Sequence, residues 1–173
     1  SGNTTEAGGT ATFTVVLTAQ PTQDVTMALS SSDLTEGTVG VASLTFTSAN
    51  WNVAQTVTVT GVDDALVDGT VAYTIVTGAT SSLDGTFNNL AVADVAVSTT
   101  DNDTAGVTVS AISGTTTEGG GTATFTVVLT AQPTQDVTMA LSSSYLTEGT
   151  VGVASLTFTS ANWSTPQTVT VTG

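Results

Sequence analysis

Along residues 11–17, Ala11, Phe13, Val15 and Leu17 alternate with Thr12, Thr14 and Val16. A period of two sends successive side chains to opposite faces of a strand, so this segment predicts a half-buried β-strand. The same reading applies to Val25, Met27 and Leu29, to Leu44 and Phe46, and to Val57 and Val59, each set interleaved with Thr, Ser or Ala. Residues 71–76 and 91–98 supply two more strands. In the latter, Leu90 and Val92 are out of phase with Val95 and Val97, which predicts a bulge near Ala93 and Asp94. β-Branched Val and Thr fill these runs and suit a pleated surface. Gln20-Pro21, Glu36-Gly37, Asp68-Gly69 and Asp84-Gly85 punctuate them as turns. No window of helical length shows a period of 3.6. The expectation is an all-β, antiparallel, immunoglobulin-like sandwich, with Phe13, Leu17, Met27, Leu29, Leu44, Phe46, Trp51, Tyr73 and Ile75 pointing inward.

The pattern then repeats. Residues 1–61 recur at 113–173 without a gap, an offset of 112 residues, and differ at six positions: Asn3/Thr115, Ala7/Gly119, Asp33/Tyr145, Asn52/Ser164, Val53/Thr165 and Ala54/Pro166. Copies this similar point to tandem duplication. Two domains are expected, residues 1–105 and 106–173. Residues 107–112 read as a strand leading into the second copy, with no counterpart ahead of the first. The second copy also lacks everything matching 62–112. The chain is therefore expected to be a slice of a longer array, or a unit completed by neighbouring subunits through donated strands or end-to-end stacking.

Charge changes the picture more than composition does. Fourteen Asp and Glu face no Lys, Arg or His, for a formal charge of −14. Side-chain salt bridges cannot form. Nucleic acid and anionic membrane surfaces are poor partners for such a chain, and no apolar run approaches the ~20 residues of a membrane span. With no Cys there is no disulfide framework. The common general bases and nucleophile partners are missing, so the chain does not read as an enzyme. A carboxylate pair of glycosidase type is conceivable, but the acids lie in repeated turn regions. Trp51 and Trp163, in equivalent SANW segments, read either as plugs at the end of a sandwich or as sugar-stacking platforms. Asn3, Asn102 and Asn162 head formal glycosylation sequons. Asp24, Asp84, Asp94 and Asp136 read as ordinary turn residues that bond their own backbone.

Several segments together resemble the Calx-β domain: Thr5-Glu6-x-Gly8, FTVVL at 13–17, LTFT at 44–47, QTVTVTGVDD at 55–64 and DNDTAG at 101–106. That family occurs in sodium–calcium exchangers, in an integrin subunit and in bacterial surface proteins. The resemblance covers residues 1–112 and recurs in 113–173. It implies a β-sandwich whose acidic loops at one end bind calcium. Carried over by position, the implied ligands are Glu6, Asp63, Asp64, Asp101 and Asp103, with Asp33 and Asp68 where further ligands are expected. Asn102 replaces an acid in the last triplet, and Tyr145 replaces Asp33 in the second copy. Glu118, 15 residues after Asp103, is a candidate for an ion site between repeats. Glu36 reads as a bystander beside Gly37. Physical chemistry supports the idea independently: Ca2+ takes about 6–8 oxygen ligands, and convergent carboxylates without a cation raise one another's pKa. The resulting expectation is a structural, calcium-stiffened repeat of a secreted or cell-surface adhesin or extracellular filament, associating with neighbouring repeats or subunits. A glycan-binding module and a calcium-sensing regulatory domain are the alternatives.

Overall fold

A computed structural model describes residues 2–173. All regular structure among them is strand. The chain forms two compact units: residues up to Asp64 with Asp68–Asn102, and Ala65–Val67 with Asp103–Gly173.

The first unit contains β1 (Asn3–Thr5), β2 (Thr10–Val15), β3 (Val25–Ser31), β4 (Gly37–Val39), β5 (Ser43–Phe46), β6 (Gln55–Gly61), β7 (Thr70–Thr77), β8 (Ser81–Ser82) and β9 (Val95–Thr100). One sheet has the order β1-β9-β7-β3-β5, with β8 also paired to β3; the other has the order β2-β6-β4. Pairing is antiparallel except for β1 on β9, which is parallel. Alternation places Val25, Met27 and Leu29 of β3 inward, against Leu44 and Phe46 of β5 and Val57 and Val59 of β6. Tyr73, Ile75, Phe87 and Val97 complete a single buried cluster, with Phe13, Val15 and Leu17 packed against its side. The result is an all-β sandwich, as the period of two requires once both sheets must bury one face.

Three features differ from the sequence expectation. Residues 91–94 are not strand, and β9 begins at Val95. Asp94 Oδ1 accepts the Thr77 amide at 2.9 Å, and the Val92 carbonyl accepts the Thr77 hydroxyl at 3.1 Å. The phase slip thus marks the start of the strand and not a bulge within it. Next, β1, β4 and β8 are strands too short to display a period in the sequence. Finally, Trp51 is only half-buried, and its carbonyl receives the Leu17 amide at 3.1 Å.

The second unit contains β10 (Val107–Val109), β11 (Thr122–Leu129), β12 (Val137–Ala140), β13 (Thr150–Val151), β14 (Ser155–Phe158) and β15 (Gln167–Thr172). They form the sheets β10-β11-β15-β13 and β12-β14. Val127, Leu129, Leu156, Phe158 and Val169 make the core, and half-buried Met139, Leu141 and Trp163 pack against it. β12 pairs on one side only, whereas its counterpart β3 has β5 on one edge and β7 and β8 on the other.

Candidate metal centre

Strand register gathers the acidic residues of the first unit. Thr5 and Thr70 both lie opposite Thr100, and Gly37 lies opposite Gly61. The turn after β1, the turn before β4, the β6–β7 loop and the end of β9 therefore meet at one end of the sandwich. Short backbone bonds hold them: Glu6 N–H to Thr100 O at 3.1 Å, Val62 N–H to Glu36 O at 3.0 Å, and Asp101 N–H to Gly69 O at 3.3 Å.

Glycine permits the close approach. A Cβ on Gly37 would overlap the Tyr73 phenol, and one on Gly61 would overlap the Thr5 carbonyl. Beneath the loops lies a buried hydroxyl cluster. Thr4 Oγ1 is 2.9 Å from Thr99 Oγ1 and 3.3 Å from the Tyr73 hydroxyl, and the Thr99 hydroxyl donates to the Glu36 carbonyl at 2.9 Å.

On this floor stand two largely covered acidic residues, Glu6 at 2 % and Glu36 at 5 % exposure. Glu6 Oε2 accepts the Asn102 amide at 3.1 Å. The Glu36 carboxylate receives no hydrogen bond from any described residue. Oxygens of Glu36, Asp64 and Asp68 lie within 4.8 Å of one another. Burial pushes the Glu36 carboxyl above its ordinary pKa, and repulsion from Asp68, Asp33, Asp64 and Asp101 adds to it. Glu6 is also raised, chiefly by burial, against the opposing Asn102 N–H, with Asp101, Asp64 and Asp68 contributing. Asp68 is raised by partial burial and by Asp64 and Asp101.

Carboxylate oxygens of Glu6 and Asp101 also lie within 4.8 Å of each other, and the acids at this end bond the surrounding chain as well. Asp101 Oδ2 accepts the amides of Asp68 and Gly69 at 3.0 and 2.9 Å, tying down a turn in which Gly69 has φ +80°. Asp33 Oδ1 accepts both the amide and the hydroxyl of Thr35, at 3.0 and 2.6 Å, which lowers its pKa. It caps a turn and does not join the Glu36 group. Asp63 is exposed and receives the Asn102 side-chain amide at 3.0 Å. Here a neutral donor stands among the carboxylates. At the far end of β3, Asp84 behaves like Asp33: the Thr22 amide and hydroxyl, both at 2.8 Å, hold its pKa down to about 2.

Of the remaining candidates, Asp103 is half-buried as the first residue after the first unit. Glu118 is exposed in the turn 117–120 and joins no group of three acids among the described residues. Glu36, a bystander by sequence, is one of the three acids that converge. Its Glu-Gly pair looked like a surface turn, because nothing local reveals that Tyr73 and β9 cover it.

The grouped donors are all carboxylate oxygens, which is hard-cation chemistry. Two oxygens bound to one Ca2+ at about 2.3–2.6 Å stand no more than roughly 5 Å apart, and the Glu36–Asp64–Asp68 spacing meets that limit. No protein-family model matches the chain, and no curated protein matches it either.

Proposed function

We propose that the chain is a structural repeat of a large secreted or cell-surface adhesin or extracellular filament, of Calx-β type, stiffened by calcium at one end of the sandwich. Glu36, Asp64 and Asp68 would hold the ion, which supplies positive charge where the chain has none. Glu6 and Asp101 shape the same end by fixing Asn102 and the 68–69 turn. The observation that carries this reading is Glu36: a residue only 5 % exposed whose carboxylate accepts no hydrogen bond from the described residues, beside two more carboxylates, in a chain that offers no basic side chain. Partial desolvation and crowding with like charges disfavour these ionised carboxylates, and a divalent cation relieves both effects. The near-identical repeats favour rigidity over a graded sensor, since one switchable site needs no copies.

The test is thermal melting with and without calcium. Ligand at 100-fold over Kd stabilises the folded state by about 2.7 kcal/mol, which corresponds to a melting shift on the order of 10 °C for a domain of this size. Glu36→Gln should abolish most of that shift, whereas Asp84→Asn should leave it intact. A melting temperature indifferent to calcium, or a full shift in Glu36→Gln, sinks the proposal.

A further inference from the structure

β5 is the last strand of its sheet. β3 pairs with one side of it, and among the described residues no strand pairs with the other. Residues 62–112 follow it in the chain, yet β7, β8 and β9 lie elsewhere, β7 and β8 across β3 and β9 beyond β7. The register fixes which main-chain groups of β5 face outward. The Leu29 amide donates to Ala42 O at 2.8 Å. Leu29 and Ala42 are thus a hydrogen-bonded pair of the ladder, and so are Met27 with Leu44 and Val25 with Phe46, two and four residues along. Ser43, Thr45 and Thr47 therefore turn their N–H and C=O groups away from β3, to the unpaired side.

Side chains already occupy most of that side. Gln55 Nε2 donates to Thr45 O at 2.8 Å, and the Thr47 amide donates to Asn50 Oδ1 at 2.6 Å. The Trp51 amide closes the end by donating to Thr47 O at 3.1 Å. The second unit builds the same arrangement on β14. Gln167 Nε2 donates to Thr157 O at 2.8 Å, the Thr159 amide to Asn162 Oδ1 at 2.6 Å, and the Trp163 amide to Thr159 O at 3.1 Å. Three of the six differences between the copies, at residues 52–54, fall between Asn50 and Gln55, and the bonds persist across them.

An edge strand is a template for pairing with another chain, and natural sheets commonly blunt it with Lys or another charge. This chain has no Lys, and residues 37–62 carry no charge at all. Misassembly between copies is a characteristic failure of repeat proteins, and here the 42–48 segment recurs unchanged at 154–160. We propose that Asn50 and Gln55 are a lock on the β5 edge: their amides hold the main-chain groups that a ladder would use, and so exclude strand addition by a second copy of this chain. Neutral amides do here what charge does on other edges. The lock needs no bound ion.

Sedimentation velocity of the whole chain in chelator tests it, with circular dichroism to follow the strand signal. Asn50→Ala combined with Gln55→Ala should self-associate at a concentration at least about tenfold below that of the parent chain, or roughly 1.4 kcal/mol of pairing. Gln20→Ala loses a bond of similar length, Nε2 to Ser48 O at 2.9 Å, outside the ladder, and should sediment as the parent does. Adding Thr45→Asp to the double variant sets like charges near one another across any β5–β5 pair. It should restore the parent's behaviour without restoring the lost bonds, whereas Thr58→Asp, at an exposed position on β6, should not. Gln55→Leu, which frees only Thr45 O, carries the same readout if the double variant loses its strand signal. A variant that associates no more than the parent, equal association in Gln20→Ala, or reversal by Thr58→Asp as complete as by Thr45→Asp overturns the proposal.

Discussion

The two repeats agree at 55 of 61 aligned positions, yet they bury those positions differently. Val25 is fully buried while its counterpart Val137 is 38 % exposed; Glu6 and Glu36 are buried while Glu118 and Glu148 are exposed. Along the other sheet the order reverses, and Val127 and Leu129 are better covered than Val15 and Leu17. Not one of these residues differs between the copies. Among the described residues, the differences follow strands that only one unit has: β1, β7, β8 and β9 in the first, β10 in the second. Burial, and with it the behaviour of a carboxylate, is a property of what packs against a residue and not of the residue's own segment.

The largest expected contrast is in the cores. Met27→Ala removes a side chain that is 3 % exposed inside the first cluster, and should cost about 2–5 kcal/mol. Met139→Ala, at a half-buried site on a strand paired on one side, should cost less than half as much. Urea titration followed by circular dichroism measures both, and equal losses would break the claim that the neighbouring strands decide the matter.

A smaller contrast concerns glycine. Gly37→Ala must displace the Tyr73 phenol, and should destabilise by about 1–3 kcal/mol. At Gly149 the nearest atoms to a new Cβ are Thr172 O at 3.5 Å and Val171 Cγ1 at 3.7 Å, ordinary contacts. Gly149→Ala should therefore be neutral, or stabilising by a few tenths to about 1 kcal/mol through the unfolded chain. The same melts decide it.

The subtlest contrast is in pH. In chelator, Glu6, Glu36 and Asp68 have folded pKa values above their unfolded ones. The folded state then binds more protons than the unfolded state as pH rises through this window, so stability falls from about pH 4.5 toward neutrality. Glu36→Gln should flatten part of that decline. Asp84 acts in the opposite sense: held at about 2 against an ordinary 3.8, it stabilises the fold above pH 3.8 and loses that contribution as pH falls through 2. Melting temperatures between pH 2 and 7, with and without calcium, separate the two. A decline toward neutrality that persists unchanged in saturating calcium would argue against the Glu36 group as the binding site.

What the chain determined by itself is the class of fold and most of its strands. The alternation in residues 11–17, 25–29, 43–46 and 55–61 is local, and a period of two requires no knowledge of partners to be read. The turn role of Asp84 was legible only in part: its Oδ1 accepts the Thr86 amide at 3.0 Å, a near neighbour, but its Oδ2 holds Thr22, 62 residues away. The tertiary structure alone decided which acids converge. Asp33, Asp63 and Asp64 look alike in sequence, but Thr35 occupies the first, Asn102 meets the second, and only the third reaches Glu36 and Asp68. Glu36 itself became a largely covered residue because Thr99, 63 residues away, and Tyr73 close over its turn. Long-range register sets those contacts, and a segment's own residues carry no record of what will be laid across it.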